Sequence, residues 1–247
     1  MRVEYAELSL KGGRETNQDR ISVAIAQDCA LLIACDGMGG HAEGERAAEI
    51  AQRTVVERFW HTPQPLLDPL GFLHLSMGAA HVGVVTLGLP LALELRPRST
   101  CALCLVQQSS AYWAHVGDSR VYHLRAGRVV ERTRDHSHVE LLVREGLLNP
   151  EQTQNHPLRN FVESCLGGEP ILPEMAINAR RALLPNDVLI VCTDGFWGNL
   201  EEALIASAFA EPQTPLRDTL SALSSQAVLN AGALSDNTSV AALRFLD

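Results

Sequence analysis

Ala30-Leu31-Leu32-Ile33-Ala34-Cys35-Asp36-Gly37 is a run of six apolar residues that stops on a carboxylate and a glycine. A run so apolar and so brief reads as a buried strand with its acidic end at the mouth. The same ending recurs: Asp118 closes AYWAHVGD at 111–118, Asp194 closes DVLIVCTD at 187–194, and Asp236 with Asn237 opens the last strand. Asp19 opens one more. Asp36-Gly37, Gly117-Asp118 and Asp194-Gly195 each set a glycine beside the carboxylate, which suits close backbone approach to something small.

Working outward, strand-like runs cover Val3–Leu10, Ile21–Ala26, Cys29–Cys35, Thr100–Gln107, Ala111–Val116, Arg120–Leu124, Val188–Cys192 and Thr238–Leu246. Apolar residues three and four apart predict helices at Glu45–Trp60, Leu70–Leu87, Ser137–Gly146, Asn199–Phe209 and Thr214–Asn230. Strands partly in hairpin succession and helices partly in pairs predict an α+β fold with antiparallel sheets covered by helices. Between Asp135 and Gly168 the chain reads as two short helices broken at Asn149-Pro150 and His156-Pro157, a surface insertion of the kind that carries specificity.

With 247 residues, 46% of them apolar, and no linker-like shift in composition, residues 1–247 read as one domain. Twenty basic against 29 acidic residues leave a net charge of −9, which repels nucleic acid and anionic lipid. The first residues lack a signal-peptide core, and no uninterrupted apolar run reaches the ~18 residues of a membrane span. The expectation is a cytoplasmic monomer with neither nucleic acid nor membrane as partner. Six cysteines are too sparse for a disulfide framework, and Cys29, Cys35, Cys101, Cys104 and Cys192 sit in strand-like runs, so they read as reduced core thiols. Cys101 and Cys104 match C-x-x-C without a second pair at zinc spacing.

Any one of these aspartates could be a helix cap or a turn residue. Four strand mouths that share one ending make that reading poor for the set. Carboxylates gathered in one place repel one another unless a cation neutralises them, so the pattern implies a polynuclear metal site. Oxygen donors without a His and Cys set favour Mg²⁺ or Mn²⁺ over zinc, and ligands spread along the chain do not form an EF-hand. Two such ions ~3.5–4 Å apart suit in-line attack of water on phosphorus, hence phosphate-ester hydrolysis. Arg14, shortly before Asp19, has the planar fork that grips a phosphate; a lone arginine near a terminus is otherwise a solvated charge. His41 is a candidate general acid toward the leaving alkoxide, or else a structural hydrogen-bond donor.

Seven segments now stand in order: GGRETNQDR at 12–20, CDGMGGHAEGERAA at 35–48, AHVGDSRVYHLRAG at 114–127, DHSHVELLVREGLL at 135–148, NHPLRN at 155–160, CTDGFWGNL at 192–200 and SDNTSV at 235–240. Together they resemble the PPM family, the metal-dependent type 2C protein phosphatases, and within it the compact bacterial Ser/Thr enzymes. The resemblance implies an αββα sandwich of two antiparallel sheets flanked by helices, with the metals at one end. It implies hydrolysis of phosphoserine and phosphothreonine in proteins, in opposition to a Ser/Thr kinase and within signal transduction. It also implies that Asp36 bridges two Mn²⁺ or Mg²⁺ ions, that Gly37 offers its carbonyl to one, and that Asp194 and Asp236 complete the other. Asp19 would act through a metal-bound water, Asp118 would hold a weaker third ion, and Arg14 would bind the phosphate. Residues from about Ser137 to Gly168 correspond to the flap beside the site. Members usually carry Gly-Thr-Thr where this chain has Arg98-Ser99-Thr100, preceded by the apolar stretch His81–Leu95, but every metal position keeps its carboxylate.

Three rival readings follow from the same residues. Gly37-Met38-Gly39-Gly40-His41-Ala42 formally fits G-x-G-x-x-A of a dinucleotide fold, yet Asp36 would point a carboxylate at the pyrophosphate. A catalytically silent phosphoprotein-binding module would be signalled by loss of a metal carboxylate. A phosphatase of small phosphate esters would share the metal site.

Overall fold

The computed structural model describes residues 1–39, 42–149, 152, 156–159 and 161–247. The candidate acid His41 lies outside these, as does part of the second short helix expected before Gly168. The described elements are β1 (Val3–Leu10), β2 (Asp19–Ile25), β3 (Cys29–Met38), α1 (Ala42–His61), α2 (Pro69–Gly88), β4 (Arg98–Ser99), β5 (Cys101–Gln107), β6 (Ser110–Val116), β7 (Arg120–Arg125), β8 (Arg128–Arg132), α3 (His138–Arg144), β9 (Leu166–Gly167), β10 (Ala176–Ile177), β11 (Arg181–Ala182), β12 (Val188–Cys192), α4 (Asp194–Trp197), α5 (Glu202–Ser207), α6 (Leu216–Ala231) and β13 (Thr238–Phe245).

Two antiparallel sheets stack face to face. One runs β1-β13-β12-β7-β8; the other runs β10-β6-β5-β3-β4-β9, with β2 also paired to β3 and β11 to β6. Side chains alternate between faces along a strand, and β3 shows the consequence. Leu31, Ile33 and Cys35 pack under α1 and α2, whereas Ala30, Leu32 and Ala34 meet Val121, Leu189, Val191, Ala241 and Leu243 of the other sheet. The opposite face of that second sheet packs on α4, α5 and α6 through Ile190, Cys192, Phe196, Leu220 and Val240. The layers are therefore α, β, β, α, as the resemblance implied. Because β3 lies antiparallel between β2 and β5, no parallel βαβ unit surrounds Gly37–Ala42, and the dinucleotide reading fails. Cys101 and Cys104, three apart on β5, face different cores and cannot share one site.

Differences from the sequence reading have local causes. β8 pairs with β7 as a hairpin whose turn residues Ala126 and Gly127 both take positive φ, 47° and 72°, the form that matches strand twist. As an edge strand with polar Arg128, Glu131 and Arg132 it lacked an apolar signature. The helix expected over 199–209 is the shorter α5, preceded by α4. Among the described residues α2 alone is long and apolar enough to cross a membrane, but its inner face, including Leu73, Met77, Ala80 and Val84, is fully buried in the protein core.

The register between β7 and β12, from Leu124↔Val188 to Arg120↔Cys192, sets Asp118 and Asp194 at the same end of the sheet. Asp187 clamps the other end of these two strands. Its buried carboxylate accepts from Arg125 Nε and Nη2 at 2.7 Å each, His123 Nε2 at 2.8 Å and the Leu184 amide at 2.9 Å. Burial alone would raise its pKa, but Arg125, the amide and His123 together hold it below the ordinary carboxylate range. Asp187→Ala, which leaves the partners unpaired, is expected to lower unfolding stability by about 3 kcal/mol at neutral pH. A folded pKa below the unfolded one means that the wild-type contribution is present above the unfolded pKa and lost as pH falls through the folded pKa. Urea titrations of both proteins from pH 7 downward should therefore show the gap narrowing as the acid range is entered; a constant gap would refute the clamp.

Candidate functional site

β2 and β3 are in a register that places Asp19 directly opposite Asp36. Along β3, Asp36 continues the face of Ala30, Leu32 and Ala34, so its carboxylate stands where the inter-sheet core opens. Asp118 stands two residues before β7 and Asp236 two before β13, while Asp194 begins α4 beyond β12. Asp36, Gly37, Asp118, Asp194, Asp236 and Arg14 line one cleft of about 780 Å³, with Asp19, 3% exposed, buried beside it.

Short hydrogen bonds hold this geometry. Thr100 donates its amide to the Asp36 carbonyl at 2.9 Å and accepts the Asp36 amide on its hydroxyl at 2.9 Å. That hydroxyl also meets Ser119 Oγ at 2.7 Å, which couples Asp36 to the neighbour of Asp118. Gly117, at φ +97°, permits the contact, since a Cβ there would come within 2.8 Å of Thr100. Asn237 accepts the Gln18 amide at 2.8 Å and donates to the carbonyls of Lys11 at 2.8 Å and Thr16 at 2.9 Å. It thereby pins the loop that carries Arg14. Gly12, at φ +64°, lies so close to Asp236 that an added Cβ would be 2.3 Å from its carbonyl. Arg14 Nη2 then reaches Asp236 Oδ2 at 2.7 Å.

The electrostatics are strained as like charges crowd together. Burial raises Asp19 to about 7, with Asp194 and Asp236 adding repulsion against hydrogen bonds from Ser239 and Thr193. Asp194 rises to about 6 through burial and Asp236, partly offset by the Gly195 amide, Arg14 and Arg159. Asp36 is pushed well up by burial and by Asp19, Asp194, Asp118 and Asp236; Asp118 is pushed up by burial, Asp194 and Asp135. Among the described residues no three His, Cys, Asp or Glu side chains gather closely enough to hold an ion as they stand. Their donor chemistry nevertheless fits hard divalent cations. Asp19 Oδ1 and Asp194 Oδ1 are buried without a hydrogen-bond partner, and oxygen-only donors of high negative charge suit Mg²⁺ or Mn²⁺.

A second cleft of about 400 Å³ adjoins the first and shares Arg14, Asp118, Asp194 and Asp236 with it. Its walls bring in side chains whose place the sequence reading missed. Trp197 donates Nε1–H to the Asp118 carbonyl at 3.0 Å, and the Arg120 guanidinium lies 3.2 Å over its ring. Arg120 also grips Asp135, just before α3, through two bonds of 2.8 Å. Arg159 lines the cleft from beyond α3 and favours the charged form of Asp194. These residues were visible only as segments of motifs; a stacked cation between two distant loops has no sequence spacing of its own.

No family model matches the chain. It is similar to the serine/threonine phosphatase stp of Listeria innocua, 30% identical over 207 residues that cover 81% of this chain and 80% of the relative. It is also 30% identical over 217 residues to the serine/threonine protein phosphatase PstP of Mycobacterium tuberculosis; the match covers 85% of this chain and spans 40% of that relative's length. Among solved structures, the catalytic domain of a PstP phosphatase in complex with two manganese ions superposes with a TM-score of 0.82 and 26% identity, covering 99% of each chain.

Mutual repulsion of buried carboxylates predicts that Asp194→Asn stabilises the protein in EDTA, by ~2–4 °C for each kcal/mol of relieved repulsion. The same variant should lose most of the melting-temperature rise that Mn²⁺ gives the wild type. Thermal scans with EDTA and with Mn²⁺ check both, and an Asn variant that melts lower in EDTA would contradict the repulsion.

Proposed function

Because the chain belongs to the metal-dependent 2C-type family of serine/threonine protein phosphatases, we propose that it hydrolyses phosphoserine and phosphothreonine in other proteins at a binuclear Mn²⁺ or Mg²⁺ site. The observation that carries this is the single cleft where Asp36, Asp118, Asp194 and Asp236 meet Arg14, with Asp19 in register against Asp36. When bound, two divalent cations supply positive charge at phosphorus and make a water nucleophilic at neutral pH. Asp36, Gly37, Asp194 and Asp236 would hold the pair, Asp36 contributing to both ions, and Asp19 would act through water. Asp118 would take a weaker third ion. Arg14, on the cleft wall, exchanges its bond with Asp236 for the phosphate oxygens, which its fork can grip in pairs. His41 is proposed to protonate the leaving alkoxide.

Protein phosphoesters are made by kinases, so the enzyme is proposed to oppose a Ser/Thr kinase in cytoplasmic signalling. We read residues 1–247 as one monomeric catalytic domain with the flap at about 137–168.

Hydrolysis of para-nitrophenyl phosphate and of a phosphothreonine peptide, followed with Mn²⁺, with Mg²⁺ and with EDTA, tests the reading. Activity should require metal, fall at least ~100-fold in Asp36→Asn and Asp194→Asn, and show a KM about tenfold higher in Arg14→Ala. A folded, metal-loaded wild type that hydrolyses neither substrate would mark a phosphoprotein-binding module, and preference for the small ester would mark a small-ester phosphatase.

A further inference from the structure

Thr193 precedes Asp194, is fully buried, and stands at the cap position of α4. A threonine in that place ordinarily accepts an amide of the first helical turn on its hydroxyl. Here it makes no such bond. Its Oγ1 instead donates to Asp19 Oδ2 at 2.8 Å and accepts the Ser239 amide at 3.1 Å; the Ser239 carbonyl, at 3.4 Å, is the weaker acceptor. We infer that Thr193 is a positioning residue for the metal site, whose hydroxyl fixes the Asp19 carboxylate so that Oδ1 is the oxygen left to engage the divalent cations; this rests on the metal-dependent phosphatase reading above.

The bond singles out one oxygen of the two. Asp19 Oδ1 is buried without a hydrogen-bond partner, and the carboxylate it belongs to lies within the fields of Asp36, Asp194 and Asp236. A carboxylate turns readily about its last torsion, so a bond at Oδ2 settles where Oδ1 stands. Thr193 is itself held: its amide donates to the Ser239 carbonyl at 3.0 Å, and its carbonyl accepts the Phe196 amide at 3.1 Å. Asn17 fixes the backbone of Asp19, accepting the Asp19 amide on Oδ1 at 3.0 Å and donating from Nδ2 to Ser9 Oγ at 2.8 Å. Ser9 stands opposite Ser239 in the ladder between β1 and β13, with the two hydroxyls 2.8 Å apart. Asp19 is thus tied to β1, to β13 and to the end of β12. Since the next residue after Thr193 is Asp194, one hydroxyl links two of the carboxylates proposed to serve the ions. Groups that orient a metal ligand from behind matter for binding, and their loss typically costs ~10–100-fold in affinity.

The test titrates Mn²⁺ into the metal-free wild type, Thr193→Val, Thr193→Ala and Thr193→Ser by isothermal calorimetry at neutral pH, with thermal scans in EDTA as the measure of fold. Valine keeps the shape of threonine without the hydroxyl, alanine repeats the deletion with a smaller side chain should valine not fold, and serine keeps the hydroxyl. Thr193→Val and Thr193→Ala should weaken Mn²⁺ binding ~10–100-fold, and Thr193→Ser should stay within about threefold of the wild type. Because Thr193 acts through Asp19, Thr193→Val should add less than about twofold in an Asp19→Asn background. A merely structural threonine would lower the melting temperature in EDTA and leave the Mn²⁺ dissociation constant of the folded protein unchanged. That result, or a Thr193→Val effect that persists in full in the Asp19→Asn background, overturns the inference while leaving the metal site intact. A wild type that binds no Mn²⁺ defeats the metal-dependent reading itself, and the inference with it.

Discussion

Five aspartates are held where their charges oppose one another, at the open end of a sandwich whose interior has little water to screen them. This repulsion is the constraint around which the rest is arranged. The apolar layer between the sheets, from Leu32 and Ala34 across to Leu189, Val191 and Ala241, supplies the burial that keeps the strand ends together in spite of it. Thr100 and Asn237 convert that general cohesion into position, since each bonds backbone that carries or adjoins a carboxylate, and Ser119 bonds the Thr100 hydroxyl. The site thus stores unfavourable electrostatics in the free protein, which a divalent cation is suited to relieve.

The two sides of the site differ in what they are made for. Toward the core, Asp19 and Asp36 are fixed by strand register and leave little freedom. Toward solvent, Arg14 stands on a loop tied by Asn237, and the chain entering α3 is held through Asp135, gripped by Arg120, which stacks on Trp197. The carboxylates therefore rest on the rigid sandwich, and the rim of the site is built from loops and α3. That division suits an enzyme that keeps one reaction and varies its partners.

Much of this was legible in the residues. The strand endings at Asp36, Asp118 and Asp194 were readable because a buried strand must be apolar, so a terminal carboxylate stands out against it. β1 and β12 were bounded as found, and β3 extended three residues beyond its apolar run, through Asp36 to Met38. The polar edge strand β8 was not readable, because its pairing depends on the Ala126-Gly127 turn and not on its own apolar pattern. Arg98-Ser99-Thr100 stood out as a departure, yet Thr100 proves to be what holds Asp36.

By itself the sequence determined which strands are buried, which carboxylates end them and that their common partner is a hard cation, because hydrophobic alternation and donor chemistry are local properties. Only the tertiary structure decided that Asp19 faces Asp36, that Asn237 ties the loop carrying Arg14, and that Arg120 stacks on Trp197. These depend on strand register and on loops meeting from opposite ends of the chain. Such contacts arise from the packing of the two sheets as a whole, and no spacing along one segment encodes them.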